Sequence, residues 1–139
     1  MSCEAIFLGN GSTTFHYRGG GSSAAVEQHF AVNPLYCGDD EGHHLTIDTE
    51  VMVRVPMDGT DDSLGGGVGA RFMHWNPERS LVSGEVRAGV DVMNDALRLR
   101  VTGGVGIGFG AVTLGVGAAY QYATGEFVPD LSLGLRYGF

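Results

Sequence analysis

The chain has 139 residues, a length that suits one domain with a buried core or one small closed barrel. Eight arginines and no lysine stand against sixteen acidic residues, so the net charge of −8 argues against a nucleic-acid-binding surface, which needs a basic excess. No apolar run approaches the roughly 18–20 residues of a membrane-spanning helix. If the chain crosses a bilayer it does so as a closed β-barrel, because every backbone polar group must be paired in lipid.

The first 44 residues are less regular than the rest, and we expect them to form one hairpin from residues 5–17 and 23–36. Apolar residues occupy even-numbered positions at the start of the first strand and odd-numbered positions at its end. An extra residue reverses the face of a strand and glycine suits such a site, so we expect a β-bulge at residues 9–11.

The two cysteines lie at the open ends of this predicted hairpin, which would bring Cys3 near Cys37. A disulfide in an oxidising compartment and two free thiols are the alternatives at this stage. Met1 begins no signal-peptide pattern, since the basic start and apolar stretch are missing. A barrel of an outer membrane needs such a leader, so for that case we expect that Met1 stands in place of a removed one.

From Leu45 to the end of the chain, apolar and polar residues alternate with a period of two in six segments. This pattern predicts six antiparallel strands joined as a meander over residues 45–139. With the hairpin in residues 1–44, the whole chain is predicted to be one domain of eight strands, the minimum usual for a membrane barrel.

Two of the predicted turns define the pairing of the strands on either side. A tight turn between Asp91 and Arg98 places these opposite charges directly across the ladder, where such a pair contributes about 0.2–1 kcal/mol. A turn centred on Gly110-Ala111 places Val105 opposite Val116. Both registers keep the apolar residues of neighbouring strands on one face.

The polar face of the predicted strands carries charged side chains and many of the 24 glycines. In a narrow barrel, small residues leave room for charged ones. We therefore expect a lumen plugged by mutually neutralising ion pairs rather than an open pore, because buried charges require partners. The expected lumen residues are Asp48, Glu50, Arg54, Arg71, Glu85, Arg87, Asp91, Arg98, Arg100 and Arg136.

The last strand alternates up to an aromatic C terminus. Its apolar face consists of Leu131, Leu133, Leu135, Tyr137 and Phe139. This ending resembles the terminal strand of bacterial outer-membrane β-barrels, a class that includes the OmpA transmembrane domain and OmpX-type proteins. The resemblance implies an all-β, antiparallel up-and-down transmembrane β-barrel in the bacterial outer membrane. It also implies that these residues are the signal recognised by the barrel-assembly machinery, and that lipid surrounds a structural or surface-interacting, porin-like barrel.

Alternation alone leaves other interpretations open. One is a soluble secreted β-barrel or sandwich with the apolar face as its core, binding a small apolar ligand. Another is a protomer that contributes strands to an oligomeric barrel, although we expect a monomer.

Chemistry-bearing motifs are weak in this chain, and we predict neither an enzyme nor a cofactor. His74-Trp75-Asn76 is similar to the His-x-Ser-Asn motif of lipid A deacylases, but Asn76 replaces the nucleophilic serine, so a lipid-modifying hydrolase is disfavoured. Residues 37–44 end in His43-His44, and their spacing matches no closed metal site. We predict no metal site in this tract.

Overall fold

The structure, a computed structural model, describes residues 1–5, 8–18, 24–57, 61–93, 96–122 and 125–138. This part of the chain is all-β, which confirms the predicted fold class. The strands are β1 (Ser2–Glu4), β2 (Leu8–Arg18), β3 (Ala25–Gly38), β4 (His43–Pro56), β5 (Ser63–His74), β6 (Val82–Met93), β7 (Ala96–Ile107), β8 (Val112–Gln121) and β9 (Glu126–Gly138). Within the described ranges, no helix is long and apolar enough to span a membrane.

The strands form a closed antiparallel barrel. From β2 to β9 each strand pairs with its neighbours in the chain, and β9 pairs back onto β2. The short β1 pairs with the far end of β3, beside the stretch of β3 that pairs with β2, so the barrel wall has eight strand positions. Because a single chain closes the ring, the expected alternative in which several chains share one barrel does not describe this structure.

A disulfide holds β1 against β3. Cys3 and Cys37 are directly opposite in the ladder, and their Sγ atoms are bonded. Of the two alternatives left by the sequence, the structure contains the bonded one. The covalent bond secures a strand of only three residues, which has few ladder hydrogen bonds of its own.

The irregularity expected in the first strand lies elsewhere. β2 and β3 pair without interruption along β2, so the prediction of a bulge at residues 9–11 is wrong. The register shifts instead on β3 between Val32 and Leu35, where β3 carries one residue more than the facing stretch of β4. Pro34 lies in this stretch, and a bulge suits it because proline has no N–H to donate to the ladder.

The turn between β7 and β8 also differs from the prediction. Val105 pairs with Leu114, two residues away from the expected Val116. The link between the strands has four residues, and its Gly108 and Gly110 have positive φ angles of 61° and 76°. Glycine adopts this left-handed region without strain, which permits the longer turn.

The barrel has two distinct ends. The end that carries β1 and Gly138 also holds the β3–β4, β5–β6 and β7–β8 links, and we call it the terminal end. The opposite end, which holds the β2–β3, β4–β5, β6–β7 and β8–β9 links, is the distal end. The predicted turn at residues 94–95 lies outside the described residues. The same holds for residues 19–23, 58–60 and 123–124 in three of the other links.

The barrel buries its polar side chains and exposes its apolar ones. Val101 in β7 and Leu133 in β9 are 48% and 47% exposed, and all eight barrel strands carry large apolar residues of this kind. In contrast, Glu27 and Arg71 are 0% and 2% exposed inside the lumen. The alternative in which the Val and Leu face forms an apolar core is therefore contradicted.

Candidate functional site: the charged lumen

An arginine with two carboxylate partners lies in the lumen near the distal end. Arg98 forms an ion pair with Asp91 directly across the β6–β7 ladder, as the sequence predicted, and its Nη2 lies 3.0 Å from Oε1 of Glu27 on β3. Arg100 lies 3.7 Å from the same two carboxylates. Nη2 of Arg98 also approaches Sδ of the fully buried Met52 at 3.5 Å. We call Glu27, Met52, Asp91, Arg98 and Arg100 the distal cluster.

A polar chamber of about 90 Å³ lies below the distal cluster. This volume holds several waters at roughly 10–15 Å³ each. Nδ1 of His29 donates to Oε2 of Glu50 at 3.1 Å, and Nη2 of Arg87 lies 3.6 Å from Oδ2 of Asp48. The Arg87 side chain is 35% exposed although it lies in the middle of β6, so water reaches it from inside the barrel.

A second arginine lies in the lumen near the terminal end. Nε of Arg71 donates to Oε2 of Glu85 at 2.7 Å, and its Nη2 approaches Sδ of Met73 at 3.8 Å. The guanidinium lies 5.4 Å from the ring centroid of Phe109, a distance suited to a cation–π contact. Phe109 therefore folds from the β7–β8 turn onto Arg71, and we call Arg71, Met73, Glu85 and Phe109 the terminal cluster.

His44 anchors the turn aromatics beside the terminal cluster. Its Nε2 donates to the carbonyl oxygen of Trp75 at 3.0 Å, so its Nδ1 accepts from the Tyr36 hydroxyl at 2.7 Å. The His44 and Phe109 rings meet edge to face with centroids 5.2 Å apart. These contacts hold the His44 and Phe109 rings beside Arg71 at the terminal end of the lumen.

All ten charged residues expected in the lumen lie on its wall or in the distal and terminal clusters. Arg54 and Arg136 face inward but form no ion pair with a described side chain. Two further lumen residues, Glu27 and His29 on β3, are missing from the expected set. For Glu27 the residue opposite in the ladder could have indicated the role, since it is Arg54, whereas His29 lies across from Met52.

His74, the histidine of the deacylase-like motif, is separated by the barrel wall from the serine and the glutamate of the neighbouring strand β6. His74 points outward and is exposed, whereas Ser83 and Glu85 face the lumen on the next strand. A base and a nucleophile must lie within hydrogen-bond distance to act together. His74 therefore has neither Ser83 as a nucleophile nor Glu85 as an orienting acid.

The histidine-containing turn between β3 and β4 is ordered by Asp39. Its carboxylate accepts the backbone N–H of His43 at 2.9 Å and the N–H of Glu41 at 3.1 Å. The hydrogen bond from the His43 N–H lowers the pKa of the Asp39 carboxyl below its ordinary value. His43 lies on the outer face and His44 on the inner face, as expected for adjacent residues in a strand.

The terminal strand is in place, although the end of its expected signal is not fully described. Leu131, Leu133 and Leu135 lie on the outer face and are about half exposed. The backbone of Tyr137 pairs with Gly11, which helps to close the barrel. Phe139 and the side chain of Tyr137 lie outside what the structure describes.

Comparisons with known proteins add little. No protein-family model matches the chain. No curated protein matches it either. Among solved structures, a chain described as "Unveiling the Mechanism Behind the in-meso Crystallization of Membrane Proteins" is similar at 12% identity, with 94% of this chain and 84% of that chain covered and a TM-score of 0.36. At this TM-score the similarity does not establish a shared fold or function.

Proposed function

We propose that this chain is an integral β-barrel protein of the bacterial outer membrane, with a structural or surface-interacting role and a plugged polar lumen. The observation that carries the proposal is the reversed distribution of polarity. The largest fully buried side chains are Arg71, Met52, Met73 and Glu27, whereas Val, Leu, Ile and Phe side chains cover the outside.

The apolar outer surface is suited to contact with lipid. Monomeric soluble proteins rarely expose a contiguous apolar patch larger than about 300–600 Å². Here the apolar surface continues around all eight barrel strands, and a closed barrel leaves no unpaired sheet edge in the hydrocarbon. These strands have 10 to 14 residues, enough for the roughly 9–11 residues that cross a bilayer.

Folding in detergent against folding in water tests the proposal. We expect the chain to form β-structure in detergent micelles or lipid vesicles, and to migrate on a gel at different positions before and after boiling. It should remain in the membrane fraction after alkaline extraction. A chain that stays monomeric in plain buffer with the same β-structure signal would contradict the proposal.

The plugged lumen leads us to propose that the barrel does not act as a general diffusion pore. The distal and terminal clusters close the chamber from both sides with ion-paired arginines and buried methionines. In planar bilayers we expect no steady conductance from the purified protein. Sustained ohmic channels in proportion to inserted protein would overturn this part of the proposal.

The proposed partners are outer-membrane lipid and the barrel-assembly machinery, and we propose a non-enzymatic monomer. Closure within one chain supports the monomer. The role of Leu131, Leu133, Leu135, Tyr137 and Phe139 as an assembly signal rests on the sequence resemblance. Phe139→Ala should reduce assembly in bacterial cells while leaving folding into detergent unchanged. If the wild-type chain and the Phe139→Ala variant assembled equally well in cells, the proposed assembly signal would lose its support.

A further inference from the structure

We propose that His43 and His74 bind a divalent transition-metal ion, of the copper and zinc class, on the outer face at the terminal end of the barrel. His43 begins β4, His74 ends β5, and the two are directly opposite in the ladder. Their ring centroids are 4.9 Å apart with 42° between the planes. The His43 side chain is 35% exposed and His74 is exposed, so both imidazoles are accessible from outside.

The separation of the rings suits one shared ion. A metal ion about 2.1 Å from one nitrogen of an imidazole lies roughly 3.2 Å from the ring centroid. Two rings bound at angles between about 90° and 109° then have centroids roughly 4.5–5.2 Å apart. The observed 4.9 Å falls within this interval, so the ladder holds the rings close to the spacing that chelation needs.

Asp39 orients one of the two ligands. Nδ1 of His43 donates to Oδ2 of Asp39 at 3.0 Å, which leaves the Nε2 lone pair of the neutral ring for the metal. The carboxylate is itself held by two backbone N–H groups of its own turn. A carboxylate that accepts from the far nitrogen of a ligating histidine fixes the tautomer and the ring direction, and its loss commonly costs 10- to 100-fold in metal affinity.

Two imidazoles make an open site rather than a closed one. Among the described residues, no group of three or more His, Cys, Asp and Glu side chains could hold a metal ion. Water would complete the coordination, and binding would be weaker than at a structural zinc site. Imidazole ligands favour copper and zinc over magnesium and calcium, and copper binds more tightly than zinc.

The single tryptophan of the chain provides a direct signal for this site. Trp75 follows His74 in the sequence, and bound Cu²⁺ quenches the fluorescence of a nearby indole. In chain free of any histidine tag and folded in detergent micelles, we expect saturable quenching by one Cu²⁺ per chain. EDTA should restore the emission, Zn²⁺ should compete, and Mg²⁺ should have no effect.

Variants separate this pair from the other histidines of the chain. His43→Gln and His74→Gln should each raise the dissociation constant for Cu²⁺ at least tenfold, and Asp39→Asn should raise it 10- to 100-fold. Asp40→Asn removes a neighbouring exposed carboxylate and should leave the constant unchanged. Circular dichroism and gel mobility confirm that each variant is folded. Absence of saturable quenching, or equal constants in the wild type and both histidine variants, would overturn the proposal.

Discussion

At the residue scale, the central arginine of each lumen cluster has one methionine and at least one carboxylate beside it. Arg98 pairs with Asp91 directly across the ladder and has Met52 beside its guanidinium. Arg71 lies across from Arg87 and pairs with Glu85, two residues away on the same strand, with Met73 beside its guanidinium. Both methionines are fully buried. A flexible thioether fills the space beside an ion pair without adding a polar group that needs a partner. In the interior of this barrel, guanidinium groups pack against methionine sulfur atoms, whereas the core of a soluble protein consists mainly of apolar side chains packed against each other.

Removal of Arg98 should be strongly destabilising. Arg98→Met removes the closer of the two cations that the buried carboxylates of Glu27 and Asp91 share, and leaves them only Arg100 at 3.7 Å. Loss of one partner of a buried ion pair costs about 3–5 kcal/mol. Urea unfolding in detergent micelles measures the change. Arg79→Met, at an exposed turn, is the matched control and should change the free energy of unfolding by less than about 0.5 kcal/mol.

A further substitution in the Arg98→Met variant tests why the free energy of unfolding falls. Asp91→Asn added to Arg98→Met removes the excess negative charge and leaves Glu27 paired with Arg100, so it should recover part of the lost stability. If Arg98→Met were no more harmful than Arg79→Met, the ion pairs would not be holding the lumen together.

At the element scale, lumen glycines allow neighbouring strands to approach. A Cβ on Gly117 of β8 would collide with the carbonyl oxygen of Val101 and would lie 2.6 Å from Cγ2 of Thr102 on β7. Gly84 of β6 lies on the outer face instead, and a Cβ there would meet nothing within 4 Å. Gly117→Ala should therefore lower the free energy of unfolding by about 1–3 kcal/mol, because overpacking shifts the β7 backbone.

Gly84→Ala is the matched substitution for this prediction. It should be neutral or stabilising by up to about 1 kcal/mol, because alanine reduces the freedom of the unfolded chain where no contact opposes it. Urea unfolding of both variants in the same micelles gives the comparison. Equal effects of the two substitutions would show that close strand approach at Gly117 is not what requires glycine.

The disulfide acts at the same scale by holding β1 in place. Cys3 and Cys37 are 34 residues apart, and closing a loop of that length is worth about 3–4 kcal/mol in the chain-entropy account. Reduction should lower the urea midpoint of the wild-type chain in micelles. The Cys3→Ser/Cys37→Ser double variant should match the reduced protein and should not respond to reductant. A reductant effect on that variant would show that the shift has another cause.

At the scale of the whole molecule, the alternation of apolar and polar residues along each strand predicted the fold. The β7–β8 register and the position of the bulge were predicted wrongly because local interactions interrupt that alternation. Asp91 faces Arg98 because the alternation leaves one register that pairs their charges on the polar face. The β7–β8 register differs because Phe109 leaves the strand to cover Arg71, a contact between residues 38 apart that periodicity does not record. The bulge lies at Pro34 and not at the expected glycines, because proline has no N–H to donate to the ladder whereas glycine only permits an irregularity. The His43–His74 pair likewise depends on which strand ends meet.

The orientation of the whole barrel in lipid gives the sharpest test of the membrane proposal. Val101 lies at the middle of β7 and points outward, whereas Leu81 lies beyond the strands in the β5–β6 link at the terminal end and is 77% exposed. For barrel folded into lipid vesicles, Val101→Arg should cost about 2–4 kcal/mol and Leu81→Arg about 0–1 kcal/mol, because the cost of a charge falls from the bilayer midplane to the interface. In water both positions are exposed, and surface substitutions there would change stability by less than about 0.5 kcal/mol. Equal small effects in vesicles would mean that the apolar face of the barrel does not meet hydrocarbon.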